Sequence, residues 1–234
     1  HLKTRVVGKG TRIESDQLKL HLNNTELEVS DAFFDRKSQA FAVKAESEMS
    51  DPRDMGIFTS RLSHLNKPVA FELKAEGELP EARLDKFIFH YGEDTHINLS
   101  GKIDDFRNFE RSNLQVLINN LSVSQEDLES FIRIGPPGFA SPQQLLALGD
   151  MDLRLKADGR LNSFRYEGSV LTEQGEVSMN GRGAIRNGFK LMTFEGPVRA
   201  DEIRLANILG EKTGLGDASL SSEVKLTIEP SLVT

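Results

Sequence analysis

Cysteine is missing from this chain altogether. That excludes disulfides, Cys-based zinc sites and thiol nucleophilic catalysis. It is compatible with an oxidising compartment without proving one. Tryptophan is missing too, and tyrosine occurs only as Tyr91 and Tyr166, so the 7% aromatic content is almost all phenylalanine. No apolar run approaches the roughly 20 residues that a membrane-spanning helix needs. There is no basic stripe, because Lys and Arg are interleaved with Asp and Glu, and the formal charge is −7. Nucleic acid is therefore not an expected partner, since phosphate binding needs a clustered basic surface.

Catalytic signatures are equally sparse. Gly8-Lys9-Gly10-Thr11 is too short for a phosphate loop and lacks the Gly-Lys-Ser/Thr ending. No Gly-x-Ser-x-Gly elbow occurs. Asp104-Asp105 and Glu126-Asp127 read as a solvated turn and a helix start. His90, Glu93, Asp94 and His96 invite a metal reading, but their spacing matches no familiar ligand motif and Gly92-Glu93-Asp94 has the form of a hairpin tip. No enzymatic activity, metal or cofactor is expected.

What the chain does have is a phrase that it says twice. Leu73-Lys74-Ala75-Glu76-Gly77-Glu78-Leu79 returns 82 residues later as Leu155-Lys156-Ala157-Asp158-Gly159-Arg160-Leu161. Every second residue is apolar or small and the residues between are charged, the period of a strand with one dry and one wet face. The same alternation runs through Val6 to Val29, Phe41 to Met49, Leu84 to Tyr91 and Ile97 to Ile103. It continues in Leu114 to Ile118, Phe164 to Leu171, Val177 to Gly181, Phe189 to Phe194 and Val224 to Ile228. Asn23-Asn24, residues 35–38, Gly92-Glu93-Asp94-Thr95 and Glu173-Gln174-Gly175 supply turns.

Helix signals are few. Asp51-Pro52 has the form of an N-cap followed by Pro at the first helical position, leading to Met55, Phe58 and Leu62. Ser124-Gln125-Glu126-Asp127 reads as a capping box before Leu128, Phe131 and Ile132, with Gly135-Pro136-Pro137-Gly138 as the strongest break in the chain. Another short helix is expected from Ser141-Pro142 to Leu148, and a last one from Asp201 through Ile203, Leu205, Ile208 and Leu209.

Further internal matches support a repeating array. Ile97 to Gly101 matches Val177 to Gly181, Leu128 and Ile132 match Leu205 and Leu209, and Met55 and Phe58 match Leu128 and Phe131. Approximate units of 1–79, 80–161 and 162–234 follow. The helices are too few to cover so many strands, so the dry face either closes on itself as a sandwich or curls into a trough. Gly77, Gly101, Gly159, Gly181 and Gly183, inside strand patterns, permit bending or close approach. The expected fold is mainly β, an elongated, curved, repetitive amphipathic sheet with a few short helices.

The run from Leu148 to Pro230, with "GDMDLRLKADGRL", "GEVSMNGRGAI" and "DEIRLANILGEKTGLGDASLSSEVKLTIEP", resembles the AsmA/TamB superfamily of Gram-negative envelope proteins. Leu121 to Leu161 repeats the pattern, and Phe41 to Leu79 does so more faintly. The resemblance implies a periplasmic β-trough, part of a longer protein anchored at the inner membrane by a segment outside this one. An opening at His1, mid-pattern, fits such a piece. The implied function is to shield phospholipid or other acyl chains on their way to the outer membrane. Phe71, Leu73, Ile97, Leu99, Leu153, Leu155, Val177, Met179, Val224, Leu226 and Ile228 would line the groove. Each of these is equally at home as ordinary sheet core.

Two other classes of function stand beside this one. An assembly module would pair a free sheet edge with strands of an outer-membrane β-barrel protein or autotransporter. A β-sandwich hydrolase or carbohydrate-binding domain would close the dry face completely, and sugar binding usually wants exposed aromatics, against which the absence of Trp counts.

Overall fold

Period-two alternation becomes strand after strand. The computed structural model describes residues 2–54, 65–134, 146–186, 191–204, 207 and 216–228. Thirteen strands form an antiparallel sheet whose order is the order of the chain, β1 through β13. The chain divides into two compact units, His1–Asn108 and Phe109–Thr234.

The first unit holds β1 (Leu2–Lys9), β2 (Arg12–Leu22), β3 (Thr25–Asp35), β4 (Ala40–Ser50), β5 (Val69–Glu78), β6 (Ala82–Tyr91) and β7 (Thr95–Ile103). The Gly8-Lys9-Gly10-Thr11 stretch is the end of β1 and its turn into β2, with Lys9 opposite Arg12. Asn23-Asn24 turns β2 into β3, with Asn23 at φ 50°. The second unit holds β8 (Asn113–Val123), the helix α1 (Gln125–Ile134), β9 (Met151–Arg160), β10 (Ser163–Thr172), β11 (Gly175–Arg186), β12 (Leu191–Arg204) and β13 (Asp217–Ile228). A 3-10 segment at Phe106–Arg111 precedes β8. The two copies of the repeated phrase are thus β5 and β9.

Ser124 caps the helix as its position predicts. The Asp127 amide donates to Ser124 Oγ at 3.3 Å, and the Leu128 amide to the Ser124 carbonyl at 2.9 Å. Asp150 accepts from the Gln125 amide at 2.8 Å, placing a second carboxylate at the same helix start. At Asp51-Pro52 the Arg53 amide donates to Asp51 Oδ1 at 2.9 Å, the bond an N-cap makes. The helix expected over Met55, Phe58 and Leu62 lies outside the described residues, as does most of the one expected from Ser141.

The start of the helix expected from Asp201 is a correction, while its Leu205, Ile208 and Leu209 lie outside the described residues and Asn207 is helical. Residues 201–204 are the end of β12, and Ile203 and Arg204 pair with Ala218 and Asp217 of β13 beyond a bulge after Ala200. Glu202 takes φ 54° within that bulge, donates its amide to Ser219 Oγ at 3.3 Å, and leaves Ile203 buried. The sheet ladder with β13 outcompetes the local helical spacing, which a single strand's sequence does not reveal.

Few hydrophobic side chains are fully enclosed. They are Leu65 and Tyr91 in the first unit, and Val123, Leu161, Phe164, Tyr166, Ala184 and Ile203 in the second, among the described residues. Tyr91 anchors the base of the β6–β7 hairpin. Its hydroxyl accepts from the amides of Asn66 and Lys67 at 3.2 and 3.4 Å and donates to Asn66 Oδ1 at 3.0 Å.

A polar knot ties the β2–β3 turn to the segment after β4. Asp54 accepts from Asn23 Nδ2 at 3.1 Å, the Asn24 amide at 2.9 Å and Thr25 Oγ1 at 3.0 Å, while the Asp51 amide donates to Thr25 Oγ1 at 3.1 Å. The Arg53 guanidinium grips Asp51 with both carboxylate oxygens, at 2.6 to 3.0 Å, and holds that carboxyl down at about 2. The Asp54 carboxyl is lowered by its bond from Asn23, and Asp35 by the Ser38 and Lys37 amides. A depressed folded-state pKa stabilises fully above the ordinary carboxylate range and is lost as pH falls through the folded value. The thermal midpoint should therefore fall between about pH 4 and pH 2. Asp51→Asn should flatten that fall while costing stability at pH 7, which melts recorded across that range will show.

Candidate functional site

Strand pairing fixes which side chains share a face, because directly opposed residues of an antiparallel pair point the same way. In the first unit, Leu18, Val29, Ala45, Leu73, Phe87 and Leu99 follow one another across β2 to β7. Beside that row lie Phe71, Phe89 and Ile97, also in register. Four of the expected groove residues, Phe71, Leu73, Ile97 and Leu99, are therefore brought to one face, with Phe87 and Phe89 between them. The two phenylalanine rings stack with centroids 6.4 Å apart. All six side chains are half-buried.

The second unit has cross-strand rows of its own. Leu153, Val170, Val177, Ala200 and Leu220 form one row across β9 to β13, and Leu155, Gly168, Met179 and Val198 the next. Strand β9 alternates without a fault, its apolar residues half-buried and its charged residues exposed. Val224 lies opposite Gly196, Leu226 opposite Phe194 and Ile228 opposite Met192, on the same face by parity. At the outer strand this face opens to solvent, with Val224 40% and Leu226 48% exposed. The face is apolar and continuous within each unit. Most of its side chains are half-covered by their neighbours, with Phe164 and Tyr166 the enclosed ones in the second unit.

Aromatics and glycines interlock on the same face of the second unit. Phe164 lies opposite Gly159 and Gly183, and Tyr166 opposite Ala157 and Gly181. A Cβ at Gly183 would run into the Phe164 ring, so the ring packs against the bare backbone. Phe194 completes a triad, its ring centroid 6.2 Å from Phe164 and 5.8 Å from Tyr166, both edge-on. Phe87, Phe89, Phe164, Tyr166 and Phe194 were not singled out by the sequence reading as groove residues. Alternation places them there, but only the register shows which partners they share.

The opposite face is charged. In the first unit, Glu28, Glu46 and Glu72 oppose one another across β3 to β5, and Lys44, Lys74 and Lys86 across β4 to β6. Like charges set opposite each other repel. The repulsion is relieved by Lys44–Glu46 at 2.9 Å and Lys86–Glu72 at 2.6 Å between the rows, and by Lys19 of β2 on Glu28 at 2.7 Å. The Lys19 bond lowers the Glu28 carboxyl pKa, and Glu46 raises that of Lys44. These pairs are exposed and screened, so their contribution is to register more than to stability. Phe33 faces this charged side, its ring capped by the Arg12 guanidinium 3.8 Å above the centroid. In the second unit an open depression is lined by the charged Lys156, Asp158, Arg165, Glu167 and Arg182 together with Tyr166, Asn180 and Gly181.

The His90, Glu93, Asp94, His96 cluster is the tip of the β6–β7 hairpin. His90 and His96 are opposed, with ring centroids 6.1 Å apart. Among the described residues no group of three or more His, Asp or Glu side chains is arranged to hold a metal ion. Among the same residues, no helix is long and apolar enough to cross a membrane. No family model, curated protein or solved structure matches this chain.

Proposed function

We propose that this chain is a non-enzymatic lipid-binding module, in which the apolar face shields the acyl chains of a phospholipid or related lipid from water. The observation that carries the reading is the half-buried apolar face of each unit, made of ordered cross-strand rows with charge confined to the other side. Soluble proteins rarely leave contiguous apolar surface of this kind without a partner for it. Covering acyl chains contributes about 0.8 kcal/mol per CH₂, so an apolar strip suffices chemically and no catalytic group is required.

The resemblance to AsmA/TamB-like proteins supplies the setting. On that reading the chain is a portion of a periplasmic, inner-membrane-anchored protein serving outer-membrane biogenesis. A second reading draws on β13, which stands at the end of the strand order and carries Leu220 at 64% exposure. Such an outer strand offers its ladder to a strand of an outer-membrane β-barrel client.

Native mass spectrometry of protein purified from a Gram-negative host, followed by organic extraction, tests the first reading. Co-purified phospholipid is expected. Leu155→Asp, which sets a carboxylate in the middle of a row, should reduce the lipid-bound fraction at least tenfold while the circular dichroism spectrum is kept. A folded, lipid-free protein that also refuses added phospholipid vesicles would overturn it in favour of the strand-pairing reading.

A further inference from the structure

The chain draws its aromatic bulk from fourteen phenylalanines and only two tyrosines. One tyrosine hydroxyl, that of Tyr91, is fully employed in bonds to Asn66 and Lys67. The other is not. Tyr166 is 8% exposed, and its hydroxyl has no hydrogen-bond partner among the described residues. Its recorded neighbours are the rings of Phe164 and Phe194 and, in register, Ala157 and Gly181, none with a side-chain acceptor. The hydroxyl is not a sealed atom, and strand parity puts the Tyr166 side chain on the apolar face.

Water meets this hydroxyl while the face is bare, whereas a guest that covered it without offering an acceptor would leave a buried donor unmade, at about 1–3 kcal/mol. The oxygen therefore calls for an acceptor brought from outside. Burial raises the phenol pKa above its ordinary value, which keeps the group a neutral donor at physiological pH. Glycines at 159, 181, 183 and 196 surround the triad, and an added Cβ at any of them would collide with backbone or with the Phe164 ring, so the triad packs closely on bare main chain.

We propose that the Tyr166 hydroxyl donates a hydrogen bond to the acyl oxygen, ester carbonyl or carboxylate, of a lipid lying on the apolar face of the second unit. The assignment rests on the lipid-binding reading above and deepens it. Tyr166 fixes where along the face the polar end of an acyl chain stops, with Phe164 and Phe194 packing the first methylenes. The residue sets position and selectivity in an otherwise featureless strip.

Three fluorescent probes of equal length test this: pyrenedodecanoic acid, its methyl ester, and an oxygen-free pyrenyl alkane. Each is titrated into wild-type protein and Tyr166→Phe. The ester should bind about three- to tenfold more weakly to the variant, the loss expected for one hydrogen bond to a neutral acceptor, and the acid should lose at least as much. The alkane should bind both proteins equally. Loss confined to the acid or to the ester would identify a free carboxylate or an esterified chain as the guest, and either supports the assignment. The melting temperature of the variant should match wild type, because no protein partner is lost. Equal binding of all three probes to both proteins would overturn the assignment while leaving the lipid face standing. So would an equal loss for the alkane, which would make Tyr166 a packing residue. Failure of every probe to bind wild-type protein would overturn the lipid-binding reading itself.

Discussion

Gly181→Val is expected to lower the stability of the second unit by about 3 kcal/mol, a fall of about 6–12 °C in the melting temperature. A Cβ at this position would run into the backbone carbonyl of Glu195 and stand 3.0 Å from the Gly196 Cα. Neither obstacle is a flexible side chain, so relief requires β11 and β12 to part. Gly196 cannot yield in exchange, since its φ of 153° already lies where L-residues rarely go. The control is Gly8→Ala, in β1, where nothing lies within 4 Å of the added carbon and no positive φ is required. That change should stay within about 0.5 kcal/mol of wild type. If both variants melt together, the close approach of β11 and β12 is wrong.

Tyr91→Phe should cost the first unit about 2 kcal/mol, although the ring is kept. The side chain is fully buried, and removing its oxygen leaves the Asn66 and Lys67 amides and the Asn66 carboxamide without their shared partner. Urea titration should show a lower midpoint with an unchanged slope, because surface exposed on unfolding is the same. The comparison with Tyr166→Phe is the sharper result. One chemical change at two buried tyrosines should give a stability loss at Tyr91 with no bearing on lipid, and the reverse at Tyr166.

Much of this architecture is legible in the residues. Alternation in Leu73 to Leu79 and Leu155 to Leu161 specifies two strands and their faces, and Ser124 with Asp127 specifies the start of α1. The four groove residues assigned to β5 and β7 fall on one face because parity along a strand is enough to place them. Three features were not legible, each for a physical reason. Bulges after Ser30, Ser47, Ile118 and Ala200 shift the register through pairing energy shared between two strands, and no local residue pattern announces them. Ile203 was read into a helix with Leu205, Ile208 and Leu209, but its spacing of two to Leu205 serves a strand as well, and β13 decides. The Tyr166 hydroxyl escaped notice because lack of a partner is a property of the surroundings, not of the residue. Phe33 shows the same limit in reverse, since an apolar residue sits on the charged side only because Arg12 crosses from β2 to cover it.

Chain order and strand order coincide in this sheet, and that has a kinetic meaning. Within each unit a strand's first partner is the one synthesised just before it, so a new strand can add to a finished edge as it emerges. Loop closure then costs little entropy at each step, and no strand waits exposed for a partner far along the chain. A unit with few fully enclosed side chains among its described residues would be slow to find by global collapse. Built one hairpin at a time, it never has to be.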